Sequence, residues 1–226
     1  MEIVFNNFKQ IFETRYSLLS ALDIGEDSVR YDFFAALNKS LQLNPWEIQL
    51  ESPINKQAFI PRENPRRKSD EKPRIDLLVI NSELNFCAEF ALFKRNKVEG
   101  SPINETEYAF KVLNDILRLG LHSFYSCSKA YFICIADATM LKKQLWHKKT
   151  PPFPGDFYEF NYHTLKDIMG EYKSSKRIDP RFLLKLEQSN LTIRADKIFD
   201  EKVNSAINPL ETRTLVWEVT NKQTNK

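Results

Sequence analysis

The stretch RIDLLVINSELNFCAEFALFK, Arg74 to Lys94, decides how the chain is to be read. RIDLLVI and NFCAEFALF have the length and apolar content of two β-strands, and NSELN between them supplies a turn. Each run carries one carboxylate, Asp76 in the first and Glu89 in the second. A charge among apolar neighbours is costly unless it is paired, hydrated or bound to a cation. Side chains alternate along a strand, so Asp76 shares a face with Leu78 and Ile80, and Glu89 with Ala91 and Phe93. Neighbouring strands that turn these faces the same way bring the two acids together.

Upstream, Phe5 to Leu22 places Phe5, Phe8, Ile11, Phe12, Tyr16, Leu18 and Leu19 at largely helical spacings, which predicts one amphipathic helix ended near Gly25. Ser28 caps a second predicted helix that buries Phe33, Phe34, Leu37 and Leu41. Trp46 to Ser52 alternates like a half-buried strand, and the proline-punctuated segment to Pro73 is a long loop. Downstream, Ile103 to His122 is a strong helix pattern, and KAYFICIAD, Lys129 to Asp137, is a continuous apolar run suited to a central strand. Asp137 at its end reads as the cap of a helix running to about Trp146. Beyond lie mixed segments around Leu165 and Phe182, a closing strand from Arg213 to Val219, and a tail, 220–226, expected to be disordered.

The composition, 42% hydrophobic and 28% charged, belongs to a globular chain long enough to bury its own core. Cys87, Cys127 and Cys134 are odd in number and lack paired C-x-x-C spacing, so they read as reduced residues rather than zinc ligands. No basic leader followed by an apolar core opens the sequence, and no uncharged stretch is long enough to cross a bilayer; the expectation is a cytoplasmic protein with no membrane partner. His122, His147 and His163 have no metal-ligand spacing and read as surface residues. Five glycines and no glycine-rich loop exclude a dinucleotide fold. The net charge of +3 is small, but the basic residues cluster at Arg62 to Arg74, at Lys142 to Lys149 around Trp146, and at Lys173 to Arg177. Such clusters suit a polyanion, and they also suit solvated loops and helix faces.

The order helix, three strands, helix, strand, with RID on the second strand and AEF on the third, resembles the core of the PD-(D/E)XK nuclease superfamily. More narrowly, RIDLLVI, CAEFALFK, YAFKVLNDILRLGL and AYFICIAD are similar to restriction-endonuclease-like proteins of bacteria. The resemblance implies an α/β fold with a restriction-endonuclease-like core (α-β-β-β-α-β), a mixed central sheet flanked by helices, an N-terminal helix and a C-terminal extension. It divides the chain into an N-terminal helical segment at 1–27, the core at 28–137, the extension at 138–219 and the tail at 220–226. It implies magnesium or manganese as cofactor, held by Asp76, Glu89 and the Phe90 carbonyl, with Asp32 or Glu51 as a further acid. The partner it implies is DNA, and Arg66, Arg67, Lys68, Lys94 and Arg95 are the cations expected on its phosphates.

The family's lysine, two residues after the glutamate, is replaced here by Ala91. Lys94 is the nearest lysine, but its odd separation from Glu89 turns it to the opposite face of a regular strand. Lys111, spaced four and seven residues from Asp115 and Arg118 on one helix face, is the better substitute in a catalytic role; it also fits an ordinary salt bridge to Asp115. Three functions therefore stand: metal-dependent DNA phosphodiester hydrolysis, a catalytically degenerate nuclease fold that binds nucleic acid or protein, and a module whose acids are only ion-paired, Asp76 to Arg74 and Glu89 to Arg118.

Overall fold

Three strands, β1 (Ile48–Pro53), β2 (Arg74–Ile80) and β3 (Asn85–Phe93), form an antiparallel meander in the computed structural model, which describes residues 1–62, 72–81, 83–94, 105–126, 128–143, 157–171 and 177–223. They follow two helices, α1 (Glu2–Leu18) and α2 (Glu26–Leu41). A long helix, α3 (Glu105–Ser126), then crosses to β4 (Lys129–Asp137), which pairs parallel to β3. Three shorter helices follow, α4 (Ala138–Lys143), α5 (Tyr162–Glu171) and α6 (Pro180–Ser189). The strands β5 (Phe157–Phe160), β6 (Leu191–Val203) and β7 (Thr212–Gln223) extend the sheet on the far side of β4. The result is an α/β architecture on one open, mixed seven-stranded sheet in the order β1-β2-β3-β4-β7-β6-β5.

Alternation along the strands sorts the apolar side chains into two cores. Phe86, Ala88 and Phe90 of β3 and Tyr131, Ile133 and Ile135 of β4 pack under α1 and α2 with Phe5, Phe8 and Phe33. Cys87, Ala91 and Phe93 of β3 and Phe132 and Cys134 of β4 face the other way, under α3, α5 and α6. The burial of β4 on both faces explains its unbroken apolar sequence. Helix α3 lies close to the sheet because residue 120 is glycine: a Cβ there would meet the Ile193 side chain at 2.7 Å. Cys87 and Cys134 are free, buried thiols whose pKa values burial raises, Cys87 to about 12.

The structure departs from the sequence reading in several places. The segment 220–226, expected to be disordered, enters β7 as far as Gln223, because Thr220 to Gln223 pair with Arg194 to Leu191 of β6. Helix α2 begins at Glu26 with Gly25 as its N-cap, so Ser28 lies within the first turn rather than capping it. His122 is not a surface residue: it is 4% exposed, and its Nδ1 accepts the Asn55 N–H at 3.1 Å. Asp137 does cap α4, its Oδ1 accepting the N–H groups of Thr139 and Met140. Among the described residues no helix is long and apolar enough to cross a membrane.

Candidate functional site

The ladder between β2 and β3 ends at Leu77 and Ala88, and beyond that pair the strands part. Asp76 and Glu89 stand at the opening. Glu89 shares its face with Cys87 and Ala91 in the core under α3, and Asp76 lies close enough to raise the pKa of Glu89. Asp76 replaces the missing ladder bond with its own side chain, Oδ2 accepting the Phe90 N–H at 2.8 Å. A residue's N–H and C=O leave a strand toward the same side, which turns the Phe90 carbonyl toward the gap as well.

Three further elements close around this opening. In β1 the pairs Leu50–Leu77 and Ser52–Ile75 put Glu51 opposite Asp76, and Glu51 has a left-handed backbone with φ 51°. From α2, Arg30 donates through Nη2 to Asp76 Oδ1 at 2.7 Å and through Nη1 to Glu51 Oε1 at 2.9 Å. Glu26 and Asp27 lie at 3.4 Å from the same guanidinium. From α3, Lys111, Asp115 and Arg118 project on one face. Lys111 Nζ meets Glu26 at 2.6 Å, and Arg118 Nη2 meets Asp115 Oδ1 at 2.7 Å.

Among the described residues, the carboxylates of Glu26, Glu51, Asp76, Glu89 and Asp115 share the cations Arg30, Lys111 and Arg118. Burial, reinforced by Asp76 and Asp115, holds the Glu89 carboxyl well above its usual range although Arg118 pulls it down. Burial likewise pushes Asp115 up to about 6 against the pull of Arg118 and Lys111. Lys111 goes the other way: burial lowers its pKa, but Asp115 and Glu26 outweigh burial and keep it raised.

Two buried oxygens mark where the compensation fails. Arg118 Nη2 comes within 3.1 Å of Glu89 Oε1 but is not aligned to donate to it, and neither that oxygen nor Asp115 Oδ2 has a hydrogen-bond partner. A buried, unpartnered carboxylate oxygen costs about 1–3 kcal/mol or more. Among the described residues no three His, Cys, Asp or Glu side chains converge as a ready metal set. Magnesium does not require one, because it takes one or two carboxylates and completes its shell with water and substrate oxygens. Asp76, the Glu89 oxygen that lacks a hydrogen bond and the Phe90 carbonyl fit that donor set, and a divalent ion would add positive charge beside Arg118 where the hydrogen bonding is incomplete.

Beside the acids a cavity of about 380 Å³ is lined by Arg62, Lys111, Asn114, Asp115, Arg118, Arg177 and Asp179. A second, of about 410 Å³, shares Lys111, Asn114 and Arg177 with it. The amide of Asn114 ties the chain near Arg177 to α3, donating to the Arg177 carbonyl at 2.7 Å and accepting the Asp179 N–H at 2.9 Å. Arg62 and Arg177 are the edges of two of the basic clusters in the sequence, so the fold gathers them along one helix.

Of the residues singled out from the sequence, Asp76, Glu89, Phe90 and Lys111 surround this opening, together with Glu51. Asp32 does not: it is buried on the α1 side, gripped by Arg15. Lys94 points to the face opposite Glu89 and donates to the carbonyls of Leu22 and Ile24. Arg66, Arg67, Lys68, Arg95, Trp146 and Cys127 lie outside the described residues. Asp76 pairs with Arg30 and not with Arg74, and the salt bridge of Lys111 is to Glu26. Sequence reasoning missed Glu26 and Arg30, whose spacing of four reads as an ordinary helix-surface pair. No family model matches the chain, and neither does any curated protein or solved structure.

Proposed function

We propose that this chain is a restriction-endonuclease-like protein that binds DNA along the α3 cleft and hydrolyses a phosphodiester with magnesium or manganese held by Asp76, Glu89 and the Phe90 carbonyl. The reading rests on one observation: the two strand carboxylates stand where β2 and β3 part, beneath the cations of α3. A divalent ion supplies polarisation of the phosphate and acidification of the attacking water. The chain's own residues would do the rest. Arg62, Arg118 and Arg177 neutralise phosphate oxygens and fix the strand in register. Lys111, kept protonated by Asp115 and Glu26, stabilises negative charge developing on the reacting phosphate and is no proton acceptor at neutral pH.

A second reading is favoured by a specific observation. Ala91, at the family's lysine position, is wholly buried under α3, and both Asp76 and Glu89 lie beside an arginine. In that reading the fold binds DNA without cutting it. The test is incubation of DNA with the parent protein, Asp76→Ala and Ala91→Lys, with and without Mn²⁺, following both binding and cleavage. Metal-dependent cleavage by the parent that Asp76→Ala abolishes supports hydrolysis. Binding by all three, with cleavage in Ala91→Lys alone, assigns the binding module. Absence of DNA binding at low ionic strength removes both.

A further inference from the structure

We infer that Arg30 is a resident counter-ion that occupies the cation position of this site and competes with a divalent metal for Asp76. The inference rests on the proposed metal role of Asp76 and Glu89. Arg30 reaches four carboxylates drawn from three elements: Glu26 and Asp27 of α2, Glu51 of β1 and Asp76 of β2. Its side chain is 23% exposed, and its Nε is buried without a hydrogen bond, so the guanidinium is held by its two Nη atoms alone. Glu51 is held on it by an unfavourable backbone: a left-handed φ in a glutamate costs about 1–3 kcal/mol and persists only where the surroundings impose it. The strained residue is thus the one whose carboxylate meets the guanidinium. Asp76 is the member of this set that also faces Glu89, and its Oδ1, the oxygen not committed to the Phe90 N–H, is the one Arg30 takes. A metal that binds Asp76 through that oxygen must first displace a single positive charge already seated there. Arg30 would then turn back onto Glu26 and Asp27 of its own helix, which lie within its reach.

The competition sets metal affinity and is measured without any turnover. Calorimetric titration of the full chain with Mn²⁺, paired with thermal melts at each metal concentration, compares the parent with Arg30→Met and Glu51→Gln. Arg30→Met should bind Mn²⁺ at least tenfold more tightly and gain the larger rise in Tm, and Asp76→Asn added to it should remove that gain. Glu51→Gln weakens the hold on Arg30 at an exposed carboxylate, keeps the protein intact, and should raise Mn²⁺ affinity severalfold. Equal affinity in parent and variants leaves the metal site standing and overturns the competition. Weaker binding in either variant makes Arg30 or Glu51 a positioning residue and also overturns it. No Mn²⁺ binding in any protein removes the metal reading itself, and the inference with it.

Discussion

Asp32 and Glu89 are both buried carboxylates that lie beside one arginine, yet they differ in how that arginine is used. Arg15 grips Asp32 with two parallel bonds, Nε to Oδ2 at 2.8 Å and Nη2 to Oδ1 at 2.7 Å. Arg118 is shared between Glu89 and Asp115, and it leaves an oxygen of each without a hydrogen bond. The first is a closed, bidentate ion pair joining α1 to α2, and it asks for nothing more. The second is an open one. Burial alone does not distinguish the two acids; the alignment of the partner does.

Stability measurements separate the two pairs. Removing one partner of a closed buried pair strands the other charge, at about 3–5 kcal/mol. Because Arg15 is 32% exposed, Arg15→Met should cost about 2–3 kcal/mol in urea denaturation. Glu89→Gln deletes a charge that is poorly compensated already, and should leave stability within about 1 kcal/mol of the parent or raise it. Equal losses in the two variants would erase the distinction.

A buried histidine sharpens it further. Burial lowers the His122 pKa from 6.5 to about 4, and the ring packs neutral with Nδ1 accepting from Asn55. As pH falls, the unfolded chain takes up this proton first, near 6.5, so stability is lost between there and about 4, by about 3 kcal/mol in all. The urea midpoint of His122→Gln should lack that portion of the acid-side decline. The smallest effect concerns the cleft. Arg62→Ala and Arg177→Ala should each weaken DNA binding a few-fold and flatten the slope of log affinity against log salt by about 1, while Lys202→Ala, remote on β6, should leave it unchanged.

The strands β2, β3 and β4 were legible as short continuous apolar runs, which burial on both faces requires, and the helix α3 by its helical period. The strand β6 was not. Its residues Leu191, Ile193 and Ala195 face α3, but a bulge between Lys197 and Phe199 adds one residue and turns Phe199 and Val203 to the opposite face. The alternation is therefore reversed midway, and the charges of RADKIFDEK give no strand period. The short β5, only four residues long, and the polar end of β7, Thr220 to Gln223, were missed for a related reason: their place is set by pairing with β6. Asp76 and Glu89 could be picked out as acids in apolar strands. Glu26 and Arg30 could not, since they lie 50 and 46 residues before Asp76 and acquire meaning only when α2 is laid across the sheet. Asp32, attractive as a further acid, was lost to Arg15 by the pairing of α1 with α2.

The missing side chain at Gly120 has a reach beyond packing. Helix α3 settles onto Ile193 with no spare room, and two residues before that point it carries Arg118, the cation that Glu89 and Asp115 divide. The height of that cation above the strand acids is thus fixed by an uncharged stop between a helix and a distant strand. Drift in the apolar layer at 120 or 193 would retune the electrostatics of the opening while every charged residue in it stayed the same.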